Sequence, residues 1–184
     1  MRVIFILVAA PLLFAAPAFA QNALPSPAQP LGQSTEQFLD FASEVNIGEI
    51  QAGLLAQQRA QSDAVKAFGR LMAFDHSELE SQLDAAAALA HVRVSDKPSS
   101  TAGQTMEQLT SMSEDQFDRA YMDHMVQGHE KVVSRFQAEK STARNPSVLA
   151  IVSGALPILR QHLALAKAVQ ASSSSGRVAN WPTK

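Results

Sequence analysis

The side chains able to do chemistry in this 184-residue chain are few, because it has no cysteine. Five histidines remain, His76, His91, His124, His129 and His162, together with scattered carboxylates. Without thiols a metal can be held only through imidazole nitrogen and carboxylate oxygen, a set suited to iron, copper, zinc or manganese. The same absence excludes a disulfide scaffold, a zinc ribbon, an iron–sulfur protein and a thiol nucleophile. No Gly-x-Ser-x-Gly elbow, HExxH pair, P-loop or dinucleotide-binding glycine turn occurs, so hydrolase and nucleotide chemistry have no carrier.

Periodicity says which of these groups face inward. At 100° per helical residue, Glu49 falls within about 20° of Phe38 and Ala56, in the middle of an apolar stripe. His76 falls about 20° from Val65 and Leu83, and His162 within about 50° of its own stripe. His124 and His129 flank the stripe of their helix on opposite edges, so His124 is the substitute candidate for His129. Each of these residues lies near the middle of its helix, so a bundle brings them to one level. Glu49, His76, His129 and His162 are thus a candidate metal-ligand set. The competing role is structural: Glu49 pairs with a protonated His76 and the couple fixes helix register. The di-iron pattern of Glu-x-x-His on two helices is absent, since no histidine has a glutamate three residues before it. Tyr121 sits on the core side, where its hydroxyl is expected to bond a buried group. His91 closes a helix and favours its dipole. Asp75 cannot orient His76, because adjacent helical residues diverge by about 100°. Glu78, Lys131 and Arg135 read as solvated positions.

Four long amphipathic segments carry these residues. The first opens at Ser34-Thr-Glu-Gln37, a capping box, and the second near Ser62-Asp63, ending near His91. The stretch around Pro98 breaks the helical pattern, and Gln104–Met112 is read as a short extra helix. Ser113 with Gln116 is a second capping box, opening the third long helix. Asn145-Pro146 starts the fourth, in which Pro157 should free the carbonyl of Ser153 and kink the helix. The expected fold is all-α, an antiparallel four-helix bundle over residues 34–171. Residues 1–20 read as a signal peptide, with an apolar run from Val3 to Phe14 and Ala18-Phe-Ala20 before the cleavage point. Residues 21–33, rich in Pro and Gln, read as a disordered tether, and 172–184 as a disordered tail. The product is expected in the periplasm or the medium, with no further run of membrane-spanning length. A formal net charge of −2 offers no electrostatic footprint for nucleic acid. Nothing in the chain names a protein partner, a substrate or a reaction.

Laid in order, several runs resemble a known family. They are Phe38-Leu-Asp-Phe-Ala-Ser-Glu-Val-Asn-Ile-Gly-Glu49-Ile, Val65-Lys-Ala-Phe-Gly-Arg-Leu-Met-Ala-Phe-Asp75-His76, Phe117-Asp118-Arg-Ala-Tyr121-Met, Met125-Val-Gln-Gly-His129-Glu and Leu156-Pro157-Ile-Leu-Arg-Gln-His162-Leu. Together they are similar to the exported bacterial proteins grouped as domain of unknown function 4142, over roughly Thr35 to Gln170. The resemblance implies a ferritin-like four-helix bundle. It also selects His129 over His124, because the helix-three motif of that family usually reads Met-Val-x-Asp-His. Here Gly128 stands in place of the aspartate. The resemblance implies no reaction; envelope stress or metal handling is the role the site residues suggest, and a metal-free structural or interaction protein of the envelope is the alternative.

Overall fold

The computed structural model describes residues 33–175. Among them are α1 (Gln33–Arg59), α2 (Asp63–Leu89), α3 (Ser100–Ser111), α4 (Glu114–Thr142) and α5 (Pro146–Ser175), with no strand. The protein is all-α. The expected signal peptide, the tether up to residue 32 and the tail from residue 176 lie outside the described residues. Gln33, assigned above to the tether, already belongs to α1.

The starts of α2, α4 and α5 follow the sequence in place, though not always in chemistry. Asn145 caps α5, its Oδ1 accepting from the backbone N–H of Ser147 (2.9 Å) and Val148 (3.3 Å), with Pro146 in the first turn. Ser99 caps α3 by accepting from Ala102 N–H at 3.2 Å, so this helix begins four residues before the predicted Gln104. At α4 the capping box is not completed. The Ser113 hydroxyl donates to the Gln116 side-chain oxygen (3.0 Å) rather than accepting from its backbone. At α2 the cap is tertiary: the Asp118 carboxylate on α4 accepts from the N–H groups of Gln61 (3.0 Å) and Ser62 (2.8 Å). Its negative charge there suits the positive end of the helix.

The ends are equally specific. α2 stops in a Schellman turn, with Val92 N–H donating to Ala87 C=O (2.9 Å) and His91 N–H to Ala88 C=O (3.1 Å). His91 therefore occupies the left-handed position at φ 56°, and is exposed. α5 runs unbroken through Pro157, which with Ser153 lies on the exposed face, where water can take the freed carbonyl. It continues past residue 171, where the tail was expected to begin. The hydroxyls of Ser172 and Ser173 donate back to the Val169 carbonyl.

α1 packs chiefly on α2 and α4 on α5, with α2 also against α5 and α1 touching α3 and α4. The α1–α2 contact is backbone against backbone. A Cβ on Gly53 would stand 2.5 Å from the Gly69 carbonyl and 2.8 Å from Ala73 N, so only glycine permits this approach. The buried apolar residues form two clusters. One contains Phe38 and Ala42 of α1, Leu79 and Leu83 of α2, Val132 and Phe136 of α4, and Val152 and Leu159 of α5. The other contains Ala52 and Ala56, Phe68 and Met72, Tyr121 and Met125, and Ala166 and Val169. α1 and α5 meet the first cluster before the second; α2 and α4 meet them in the opposite order. A polar layer separates the two on every long helix.

Contrary to the expectation of no further run of spanning length, Pro146–Ser173 is long and apolar enough to cross a membrane, at mean hydropathy 1.5. Within it Val148, Val152, Ala155, Leu156, Leu159, Ala166 and Val169 are buried in the core, and 33% of the apolar window is buried in all. Isolated polar residues such as Arg160 and His162 do not lower a window average enough to hide it.

Candidate metal centre

The polar layer is where the sequence placed chemistry. Glu49, His76, His129 and His162 are all buried, between the two apolar clusters on α1, α2, α4 and α5 respectively. Each histidine follows or precedes a core residue by one turn, Met72 and Leu79 around His76, Met125 and Val132 around His129, Leu159 and Ala166 around His162. Helical spacing thus carries each ring into the same cross-section.

Three imidazoles converge there. Ring centroids lie 5.8 Å apart for His76 and His129, 5.3 Å for His76 and His162, and 5.4 Å for His129 and His162. Each ring offers one nitrogen, and these nitrogens lie within 4.8 Å of one another. Glu49 is beside this trio but not in it: its Oε1 is 4.0 Å from His129 Nδ1, and its buried Oε2 has no hydrogen-bond partner. His124 is half-buried and outside the trio. Burial lowers its pKa, the Glu49 carboxylate opposes that, and His129 and Lys131 reinforce it.

On every ring of the trio one nitrogen is engaged and the other is left over. His76 Nδ1 meets Asn46 Oδ1 at 2.9 Å, His129 Nδ1 meets the Met125 carbonyl at 2.9 Å, and His162 Nε2 meets Asp75 Oδ2 at 2.8 Å. All three partners are acceptors, so each engaged nitrogen carries the proton. The lone pairs then belong to His76 Nε2, His129 Nε2 and His162 Nδ1, three buried atoms with no hydrogen-bond partner. Asn46 is oriented in turn: its Nδ2 donates to Glu80 Oε2 at 2.9 Å. The Ser43 hydroxyl contacts both Glu80 Oε1 and the Ser95 carbonyl, the latter at 2.7 Å.

Burial favours the neutral form of His76 and of His162, the form that offers a lone pair. It holds His76 well below the ordinary imidazole range, and charge on His162 or His129 would add to the penalty. His162 is lowered to about 4, burial and His129 outweighing the hydrogen bond and charge of Asp75 that act the other way. Burial and the neighbouring Glu49 push the Tyr121 phenol well above its usual value. Its hydroxyl makes no hydrogen bond, against the expectation that it would bond a buried group.

Several readings change at this level. The couple between Glu49 and a protonated His76 does not form: His76 bonds Asn46, and the nearest imidazole nitrogen recorded for Glu49 belongs to His129. Asp75 does not orient its neighbour His76, as expected, but it does orient His162 on another helix. That role is invisible on a single helical wheel, because it depends on how α5 lies against α2. Asn46 was legible in principle, standing one turn before Glu49 on the inward side of α1. Glu80 and Ser43 carried no signal, since a glutamate and a serine at a stripe's margin are ordinary.

Fold and site together define an all-helical domain with a mid-level layer of three buried imidazoles, each braced by an acceptor. Residues 20–169 match the family described as a domain of unknown function, DUF4142, and the chain belongs to that family. No curated protein and no solved structure matches it. A Cβ at Gly128 would lie 3.8 Å from Glu49 Oε1, so the position at which the family motif suggests aspartate adjoins the Glu49 carboxylate.

Proposed function

We propose that this is an exported, ferritin-like bundle protein that binds one transition-metal ion through His76, His129 and His162. The observation that carries the reading is the trio itself: convergent and buried, with three orphaned nitrogens and an acceptor behind each ring. A buried polar atom without a partner costs about 1–3 kcal/mol, and a single cation would satisfy all three. Histidine ligands held by a carboxylate, a carbonyl or an amide oxygen have the outer-sphere support that protein metal sites use. An ion bound at about 2.0–2.1 Å sets tetrahedral nitrogens about 3.4 Å apart, so the widest pair, at up to 4.8 Å, closes by about 1.4 Å. All-imidazole donation favours zinc, copper or iron over manganese. Glu49 stands beside the trio, its Oε1 4.0 Å from His129 Nδ1 and its buried Oε2 without a hydrogen-bond partner.

The order in which the helices meet the two apolar clusters supports the ferritin-like reading. α1–α2 and α4–α5 form two antiparallel hairpins, and residues 90–113, with α3, form the crossover between α2 and α4. Export to the periplasm or medium follows from the signal-like leader, and a role in metal handling from the site.

Elemental analysis of untagged protein and thermal melts with added zinc, copper or iron test the reading. An ion at a hundredfold excess over its Kd stabilises the fold by about 2.7 kcal/mol. His76→Gln and His162→Gln should each abolish that increment. If no ion shifts the melt and none copurifies, the layer serves only to register the helices, in a metal-free envelope protein.

A further inference from the structure

The direction of the hydrogen bonds behind His76 assigns a role to a residue that touches neither the ring nor any ligand. An amide group can be turned end for end at almost no cost in shape, yet its two ends do opposite things. With Oδ1 toward His76, Asn46 accepts from Nδ1–H and leaves the lone pair on Nε2. Turned round, its NH2 would donate to Nδ1 and force the proton onto Nε2, closing that nitrogen to a metal. What selects between these is Glu80, whose Oε2 accepts from Asn46 Nδ2 at 2.9 Å. A turned amide would set Oδ1 against Oε2, acceptor against acceptor, in a site where Asn46 is buried. Ser43 holds Glu80 in that orientation. Its hydroxyl donates to Glu80 Oε1 and also lies 2.7 Å from the Ser95 carbonyl. That arrangement leaves Oε2 as a pure acceptor toward Asn46.

We propose that Glu80 is the positioning residue of the cluster: through Asn46 it fixes His76 as the Nδ1–H tautomer with the Nε2 lone pair free. The inference rests on the metal reading only in naming what that lone pair serves. Two variants separate hydrogen bonding from packing. Glu80→Gln keeps an oxygen for Asn46 and an NH2 for Ser43; Glu80→Met keeps the length and removes the acceptor.

The test is ¹⁵N NMR of the imidazole nitrogens in metal-free, full-length protein, followed by zinc titration calorimetry. Wild type and E80Q should carry the His76 proton on Nδ1, with zinc Kd values within about twofold of each other. In E80M the orientation is no longer selected, so about half of His76 should appear as the Nε2–H form, and Kd should rise about 2- to 10-fold. A wild-type His76 protonated on Nε2 overturns the proposal by itself, even if E80M does not fold. So does an E80M protein whose His76 stays wholly Nδ1–H. If zinc fails to bind wild type while the tautomers respond as stated, the relay stands and the metal reading falls.

Discussion

Replacing Gly53 by alanine should loosen the fold at the point where α1 and α2 touch backbone to backbone. The added Cβ would meet Gly69 O at 2.5 Å and Ala73 N at 2.8 Å, and both obstacles are main chain, unable to swing aside. Forcing a methyl group into such a contact costs about 1–3 kcal/mol, or more where the backbone must move. Alanine's better helix propensity returns about 1 kcal/mol. Gly154→Ala is the matched control, because a Cβ there meets nothing within 4 Å and the residue is exposed. It should gain the propensity alone, about 1 kcal/mol. The same chemical change is thus expected to act with opposite sign at two helical glycines, a spread of roughly 1–3 kcal/mol in urea denaturation. Gly53 lies one turn beyond Glu49, and Ala73 one turn before His76, so G53A should also weaken metal binding. A G53A protein as stable as G154A would refute the argument that this contact sets the helix spacing.

Acid should destabilise the metal-free protein through the buried rings. His162 has a native pKa of about 4 against about 6.5 when unfolded, so the unfolded state binds more protons between these values. Its share of stability is complete above pH 6.5, is reduced by about 2 kcal/mol at pH 5, and reaches its limit below pH 4. His76, lowered in the same sense, steepens the loss. Denaturation between pH 7.5 and 5 should show it, and His162→Leu should flatten the slope; an unchanged slope speaks against a neutral His162 in the fold. Tyr121→Phe removes a buried hydroxyl that bonds nothing, so it should leave stability unchanged or raise it by about 1 kcal/mol, with zinc affinity intact. A loss above that size would mean the hydroxyl has a partner. His91→Gly relieves a left-handed residue at the α2 C-terminus and should stabilise by about 0.5–1 kcal/mol, read from the urea midpoint.

The helices were legible because their signals are local. Asn145-Pro146 supplies a cap and a first-turn proline side by side, and the stripes through Phe38, Phe68, Phe117 and Leu159 declare which side is buried. The short helix was harder: its cap, Ser99, follows Pro98 in a segment that reads as a break, so its first turn was missed. Burial of Glu49, His76 and His162 was also legible in the sequence, since each sits among apolar neighbours at helical spacing. The wheel set His124 and His129 on opposite edges, and only the family resemblance selected His129. Partnership was not legible. Which ring meets which depends on the direction and rotation of α5 against α2, and wheels drawn one helix at a time contain neither. Asp118 looked like a motif residue and proved to cap another helix; Asp75 looked idle and braces His162. Periodicity fixes the radial direction of a side chain, and therefore its burial. Only tertiary packing supplies the second and third helices, and so decides whether a buried imidazole finds another imidazole, a carboxylate, or nothing.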